Sequence, residues 1–198
     1  MTHTECVGHI VNENIFVNQL PINGFKTAGL ITVIPSSPSG NDDSYIDKQK
    51  KSDLVIKGRS IELALKDIPH QVEVLVVRTL PNDSEKLTKV YDNSEVPPYF
   101  SLDAIECLKN NNIEHLCIDI PSLDRINDGG ALASHHMFWD IPLGENTLKN
   151  KKPSLKTITE LAYIKPDIQD GFYVINLQVS NFELDAAPSK PLLYPVIL

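Results

Sequence analysis

The first nine residues, MTHTECVGH, bring two histidines and a carboxylate together at positions i, i+2 and i+6. Imidazole nitrogens and carboxylate oxygens are the usual protein ligands of zinc and related divalent ions. Side chains alternate along an extended segment, so His3 and Glu5 point to the same side, and a loop after them could bring His9 to the same point. The pattern predicts a metal site, although a short His-rich start is also typical of an expression tag or a frayed terminus.

Three later segments add to this pattern: CIDIPSLD at 117–124, ASHH at 133–136 and TEL at 159–161. Together with THTECVGH at 2–9, they resemble the motifs of the cyclase family, the metal-dependent hydrolases that include kynurenine formamidase and isatin hydrolase. The first motif of that family reads HxGTHxDxPxH. The four segments follow in the family's order and span nearly the whole chain, so we interpret the chain as a family member. The alternative is an unrelated α/β binding protein with accidental matches.

The resemblance implies a role for each of five residues. His3 and Glu5 match ligands of a first metal, with Glu5 where the family usually has Asp. His135 and Glu160 match the ligands of a second metal, which shares Glu5 as a bridge. His9 matches the histidine that transfers a proton. The resemblance also implies Zn²⁺ or Mn²⁺ as cofactor, because both ions accept histidine and carboxylate ligands.

Each assignment has an alternative. The two N-terminal ligands could belong to a disordered end. His135 could form a structural pair with His136, and Glu160 could face solvent from a strand. His9 could be a metal ligand rather than a proton-transfer group.

Other polar residues near the motifs favour structural roles. Asp119, Ser122 and Asp124 are typical of a loop shaped by side chain-to-backbone hydrogen bonds. Cys6 adjoins the candidate ligands, but a nucleophile needs a dedicated base and an orienting group. The two histidines outside the motifs, at 70 and 115, fit surface or satisfied core positions.

The implied reaction is hydrolysis of an amide without a covalent intermediate. A bound metal activates water, a second cation polarises the scissile carbonyl, and His9 protonates the departing nitrogen. The resemblance suggests an N-formyl aromatic amine or a cyclic amide as the small-molecule substrate, and a homo-oligomer, dimer or tetramer, as the assembly. The family also has a histidine four residues before the one matched by His3, a position that precedes Met1. We therefore expect an N-terminally incomplete member with one well-held metal and impaired activity; the alternative is a member retained for binding or assembly.

Composition narrows the function classes further. The 198 residues carry 18 basic and 26 acidic side chains, a formal net charge of −8. This balance argues against a nucleic-acid partner, which would require clustered Lys and Arg. The three cysteines form no CxxC motif, and an odd count suits a reducing compartment. No segment has the pattern of a transmembrane helix or a signal peptide, so we expect a cytoplasmic protein with no membrane partner.

The elements predicted from periodicity and breakers belong to the α/β class, in a single domain over residues 1–198. The resemblance sharpens this class to the swivelling β/β/α fold with a central mixed sheet. Ser60 is the predicted N-cap of one helix, and Ser101 caps a second that runs through Asn111. Apolar runs predict strands, and polar or breaker-rich stretches predict loops. The strands are 30–34, 72–77, 116–120 and 172–179; the loops are 10–27, 36–53 and 144–156; and the tail at 192–197 could pair at a sheet edge.

Overall fold

A computed structural model describes residues 1–22, 24–38, 44–46, 49–92 and 96–196 of the chain. These residues form three α-helices, nine β-strands and three short 3₁₀ turns. The helices are α1 (Gly58–Leu65), α2 (Leu102–Asn110) and α3 (Ala133–Phe138). The strands are β1 (His3–Glu5), β2 (Gly24–Val33), β3 (Val55–Ile56), β4 (Val74–Thr79), β5 (Tyr99–Phe100), β6 (His115–Ile118), β7 (Thr157–Glu160), β8 (Gly171–Val179) and β9 (Ala186–Pro195).

Seven of these strands close into a barrel in the order β1-β7-β6-β4-β2-β8-β9. The neighbours β2, β4, β6 and β7 run parallel, whereas β8, β9 and β1 pair antiparallel with the strands beside them. The predicted α/β class with a central mixed sheet is therefore confirmed. The closure adds a feature that the sequence pattern did not predict.

The two sides of the sheet support two hydrophobic clusters. Leu75 and Val77 of β4 contribute to the larger cluster, which also contains the buried faces of the helices. Val74 and Val76 alternate with them and contribute to a smaller cluster inside the barrel. Burial on both sides explains the continuous apolar run at 74–77 in β4. The predicted strand there is confirmed, shifted by two residues.

The helix starts illustrate what the local sequence predicts well and badly. Ser101 caps α2 as predicted, because its hydroxyl accepts a hydrogen bond from the Ala104 N–H at 3.1 Å. The prediction of Ser60 as an N-cap is wrong. Helix α1 begins at Gly58 after Lys57, so Ser60 lies inside its first turn.

Two strand predictions are also corrected. Strand β2 begins at Gly24, inside the segment predicted as loop, and ends at Val33, leaving Ile34 exposed. The C-terminal strand β9 is not at an edge, since it pairs with both β8 and β1 and closes the barrel. Parts of the predicted polar loop (39–43 and 47–48) and the tail residue Ile197 lie outside the described residues.

Candidate metal centre

Strand β1 is only three residues long, yet it is paired on both sides. His3 lies opposite Glu160 of β7 and opposite Pro188 of β9. Between the two candidate ligands, Thr4 points to the other face, and its hydroxyl is 2.6 Å from that of Thr159. This pairing places His3, Glu5 and Glu160 on one face of the sheet, as period-two alternation requires.

The candidate ligands meet on that face. One ligand atom each from His3, Glu5 and Glu160 lie within 4.8 Å of one another. His3 Nε2 is 3.5 Å from Glu160 Oε2. From the other side, His135 of α3 places Nε2 2.8 Å from Glu5 Oε1 and 3.6 Å from Glu160 Oε1. Two carboxylates thus lie between two imidazoles, although two of the four residues come from the first five positions and two from the last third of the sequence.

The environment of the two carboxylates suits a cation. Glu5 is 2% exposed and Glu160 is 4% exposed. Burial raises the pKa of Glu160, and the negative charge of Glu5 raises it further. His135 and His3 lower it, but the net shift is upward. Glu160 Oε1 is buried and has no hydrogen-bond partner among the described residues, because 3.6 Å to His135 Nε2 exceeds hydrogen-bond length. An unpaired carboxylate oxygen beside a second buried carboxylate fits a bound divalent ion.

Asp124 orients His135 and was not predicted to do so. Its Oδ2 accepts a hydrogen bond from His135 Nδ1 at 2.6 Å, which directs Nε2 towards Glu5. The backbone N–H of Ser134 donates to Asp124 Oδ1 at 2.7 Å. Metal-ligating histidines commonly donate their second ring nitrogen to a carboxylate in this way. Asp124 belongs to the PSLD segment, whose residues were expected only to shape a loop.

Tyr45 completes the environment of Asp124. Its hydroxyl donates to Asp124 Oδ1 at 2.8 Å and accepts from the backbone N–H of Arg125 at 3.1 Å. Burial raises the pKa of Asp124, but hydrogen bonds from His135, Ser134 and Tyr45 outweigh burial and hold it below its usual value. Tyr45 lies in a polar segment without periodicity, so no sequence signal identified it.

The same contacts set the charge at His135. Burial lowers the pKa of this imidazole, but its hydrogen bonds to Asp124 and Glu5 and the nearby carboxylate of Glu160 raise it well above the ordinary value. Three carboxylates around one imidazole form an environment that attracts a positive charge, either a proton or a metal ion, to Nε2.

His9 lies at the margin of the centre. Its Nε2 is 3.7 Å from Glu5 Oε2, and its Nδ1 is 2.9 Å from Asp185 Oδ2. The 3₁₀ turn that carries His9 packs against the backbone at Ile15, where a Cβ on Gly8 would lie 2.1 Å from the carbonyl oxygen. Glycine is therefore required before His9. Asp185, just before β9, is a site residue that sequence reasoning missed, since no motif marks it.

Three other residues are buried in structural surroundings: Cys6, His115 and Asp119. Burial raises the pKa of the Cys6 thiol to about 11, so it is not a thiolate at neutral pH. His115 is buried inside the barrel between the hydroxyls of Thr157 and Thr159, as a satisfied core residue. Asp119 accepts hydrogen bonds from the ammonium group of Lys86 and the backbone N–H of Thr79.

Two cavities lie near the parallel strands. The one beside the centre has a volume of about 350 Å³ and is lined by His9, Leu132, His136 and Leu143 among others. A larger one of about 500 Å³ lies at the end of β4, lined by Thr79, Lys86 and neighbouring apolar residues, and contains none of the candidate ligands. The smaller cavity contains none of them either, but it is lined by His9, whose Nε2 is 3.7 Å from Glu5 Oε2, and it is therefore the candidate substrate pocket.

The N-terminal part of the chain matches a known protein family. A model of the family described as "Putative cyclase" matches residues 1–125. No curated protein matches the sequence. Within the described residues, no helix has both the length and the apolar composition to cross a membrane.

Solved structures with this fold share little sequence with the chain. A potential metal-dependent hydrolase with cyclase activity has a TM-score of 0.62 at 16% identity, over 97% of this chain and 76% of that one. An isatin hydrolase bound to the product analogue thioisatinate has a TM-score of 0.60 at 14% identity, over 98% of this chain and 71% of that one. Isatin hydrolase A from Labrenzia aggregata, bound to benzyl benzoate, has a TM-score of 0.62 at 13% identity, with coverages of 97% and 71%. At these identities the likeness shows a shared fold.

Proposed function

This chain belongs to the cyclase family, and from that premise we propose that it is a metal-dependent hydrolase that cleaves the amide bond of an N-formyl aromatic amine or a cyclic amide. The observation that carries the proposal is the pair of buried carboxylates between two imidazoles, with one carboxylate oxygen unpaired. We propose that His3, Glu5, His135 and Glu160 hold the metal, Zn²⁺ or Mn²⁺.

The chain's own residues prepare this centre. When bound, a divalent cation supplies Lewis acidity, which lowers the pKa of water and polarises a carbonyl. Glu5 and Glu160 supply two negative charges in a buried environment, where their attraction for a cation is poorly screened. With a cation bound, Asp124 would keep the proton of His135 on Nδ1 and leave the lone pair of Nε2 for the cation.

His9 is the proposed proton-transfer residue. Asp185 accepts from Nδ1 and so orients the ring, leaving Nε2 on the side of Glu5. In this position His9 takes a proton from the attacking water and delivers it to the departing nitrogen, as a general base and then a general acid. The aspartate also stabilises the imidazolium between the two transfers.

Two features support an amide substrate. The isatin hydrolases that share this fold are named for a cyclic amide. The cavity beside His9 has apolar walls, including Ile10, Leu132 and Leu143, which suit the body of an aromatic amide.

The test combines metal binding with turnover. The full chain would be loaded with Zn²⁺ or Mn²⁺, dialysed and analysed for metal by mass spectrometry, and then assayed with N-formylkynurenine and isatin. We expect bound metal and hydrolysis of at least one substrate, both strongly reduced in Glu160→Gln. The control Glu183→Gln makes the same change at an exposed position and should behave as the wild type.

The outcomes separate the alternatives. Absence of tightly bound metal in the wild type would contradict the proposal. Bound metal without turnover of either amide would instead favour a member that uses the fold for binding or assembly.

A further inference from the structure

Hydrogen bonds hold the walls of the cavity beside His9. One wall is the loop at 128–132, where the Asp128 carboxylate accepts hydrogen bonds from the N–H groups of Gly130 at 2.8 Å and Leu132 at 2.7 Å. Another part of the wall is tied to the N-terminal segment, because the N–H of Asn12 donates to the carbonyl oxygen of Asn146 at 2.8 Å. A ligand therefore enters a preformed space, which lowers the entropic cost of binding.

His136 lines this cavity and has one ring nitrogen without a hydrogen bond among the described residues. The residue lines the cavity and is only 8% exposed. Its Nδ1 is 3.3 Å from the carbonyl oxygen of Ile141. A carbonyl can only accept, so the proton is assigned to Nδ1 and Nε2 is left with a lone pair. Within the part of the chain that the structure describes, no hydrogen bond is made to His136 Nε2.

The cavity adjoins the metal centre through two residues. His9 lines the cavity and lies 3.7 Å from Glu5. His136 follows His135, whose Nε2 faces the same carboxylate. A ligand that fills the cavity thus reaches the centre with one polar edge and faces His136 with another.

We propose that His136 Nε2 accepts a hydrogen bond from the amide N–H of the substrate, so that the site selects secondary amides and N–H lactams over N-alkylated ones. This inference rests on the proposed hydrolase function and adds to it a specificity-determining contact. An N-alkyl group removes the donor and leaves the buried acceptor unpaired, a combination that binding sites discriminate against strongly.

Charge on the cavity wall agrees with an uncharged substrate body. Among the described lining residues there is no lysine or arginine, and Glu145 is the only acidic one. A carboxylate or phosphate on the substrate body would find no cationic side chain here.

The test uses oxindole and N-methyloxindole, a lactam pair whose ring fixes the amide geometry in both. Binding to the metal-loaded full chain would be measured by calorimetry, which needs no turnover. We expect oxindole to bind about tenfold more tightly than its N-methyl analogue. In His136→Met this ratio should fall to about one, mainly through weaker oxindole binding. The variant His136→Gln, which keeps an acceptor oxygen, should recover part of it, and His70→Met, at an exposed histidine, should leave it unchanged.

Several results would overturn the inference. Equal binding of the two lactams by the wild type, or no binding of oxindole, would do so without any variant. An unchanged preference in folded, metal-loaded His136→Met would show that the discrimination is steric. The proposed function and the proposed contact can fail separately. If the protein hydrolyses no amide but still prefers oxindole in a way that depends on His136, the function is wrong and the contact stands. Hydrolysis of isatin and N-methylisatin with equal kcat/KM, together with equal oxindole binding, would leave the function and remove the contact.

Discussion

Asp124 concentrates four hydrogen-bond donors on one buried carboxylate. It accepts from both the ring and the backbone of His135, from the backbone of Ser134 and from the hydroxyl of Tyr45. Such saturation fixes the carboxylate in one orientation, and the carboxylate in turn fixes His135. At the scale of single residues, the proposed metal site therefore depends on groups that do not touch the metal.

Tyr45→Phe tests this dependence. The change removes the hydroxyl that donates to Asp124 and leaves the aromatic ring against Tyr99. We expect metal affinity to fall by about tenfold, the lower range for lost partners of metal-ligating histidines. Competition with a chromophoric chelator measures the affinity, and the visible spectrum of the Co²⁺-loaded protein should shift. Tyr194→Phe, at a half-exposed position on β9, is the control. An unaltered affinity and spectrum in Tyr45→Phe would show that Asp124 holds His135 without help.

His115 couples folding to pH. Burial, together with the nearby charge of Lys26, lowers its pKa to about 3. The unfolded chain has the ordinary value near 6.5, so between about pH 6.5 and 3 the unfolded state binds a proton that the folded state does not. The neutral ring thus contributes its full stability above pH 6.5, and this contribution is lost as the pH falls towards 3.

His115→Gln should remove this dependence. Urea unfolding of the metal-free protein at several pH values from 4 to 7 gives the slope of the free energy of unfolding. We expect the slope of the wild type to exceed that of the variant by at most about 1.4 kcal/mol per pH unit. His70→Gln, at an exposed histidine, should keep the wild-type slope. Parallel slopes for the wild type and His115→Gln would contradict the assigned neutrality of this ring.

At the scale of elements, β1 positions half of the candidate ligands with three residues. Its pairing with β7 and β9 sets the register, and Thr4 anchors it inside the barrel. The anchor continues from Thr159 to His115 and Thr157, a chain of hydrogen bonds across β7 and β6. The polar interior on one face of these strands therefore supports the site on the other face.

Thr4→Val tests the anchor, because valine keeps the β-branched shape and removes the hydroxyl. We expect a loss of about 1 kcal/mol in the free energy of unfolding and weaker metal binding, since β1 is free to shift. Chemical denaturation and metal titration measure the two effects. Thr88→Val, at an exposed turn, should change neither. If Thr4→Val lost stability and kept its metal affinity, register alone would be enough to place His3 and Glu5.

At the scale of the whole molecule, barrel closure brings the N-terminus to the last third of the chain. The buried carboxylates Glu5 and Glu160 repel each other across this closure, and a bound cation would convert that repulsion into attraction. Metal binding and global stability are therefore expected to be linked, because the complete ligand set exists only in the folded state.

Metal removal should consequently lower the melting temperature. With free metal at about 100 times Kd, the bound ion adds about 2.7 kcal/mol, which corresponds to roughly 5–10 °C in a chain of this size. Calorimetry of the protein with chelator and with Zn²⁺ or Mn²⁺ measures the difference. Glu160→Gln should show little response to metal, whereas Glu183→Gln should respond as the wild type does. A melting temperature indifferent to metal would contradict the site.

The sequence by itself determined the family, the α/β class and the candidate residues His3, Glu5, His9, His135 and Glu160. Motif order and residue chemistry are properties of the chain, as are the apolar run of β4 and the cap at Ser101. Only the tertiary structure decided that β9 closes a barrel onto β1, and that Asp124, Tyr45 and Asp185 support the two histidines. Those contacts join residues far apart in sequence, and no local propensity or period encodes a partner that only the closed sheet brings within hydrogen-bond distance.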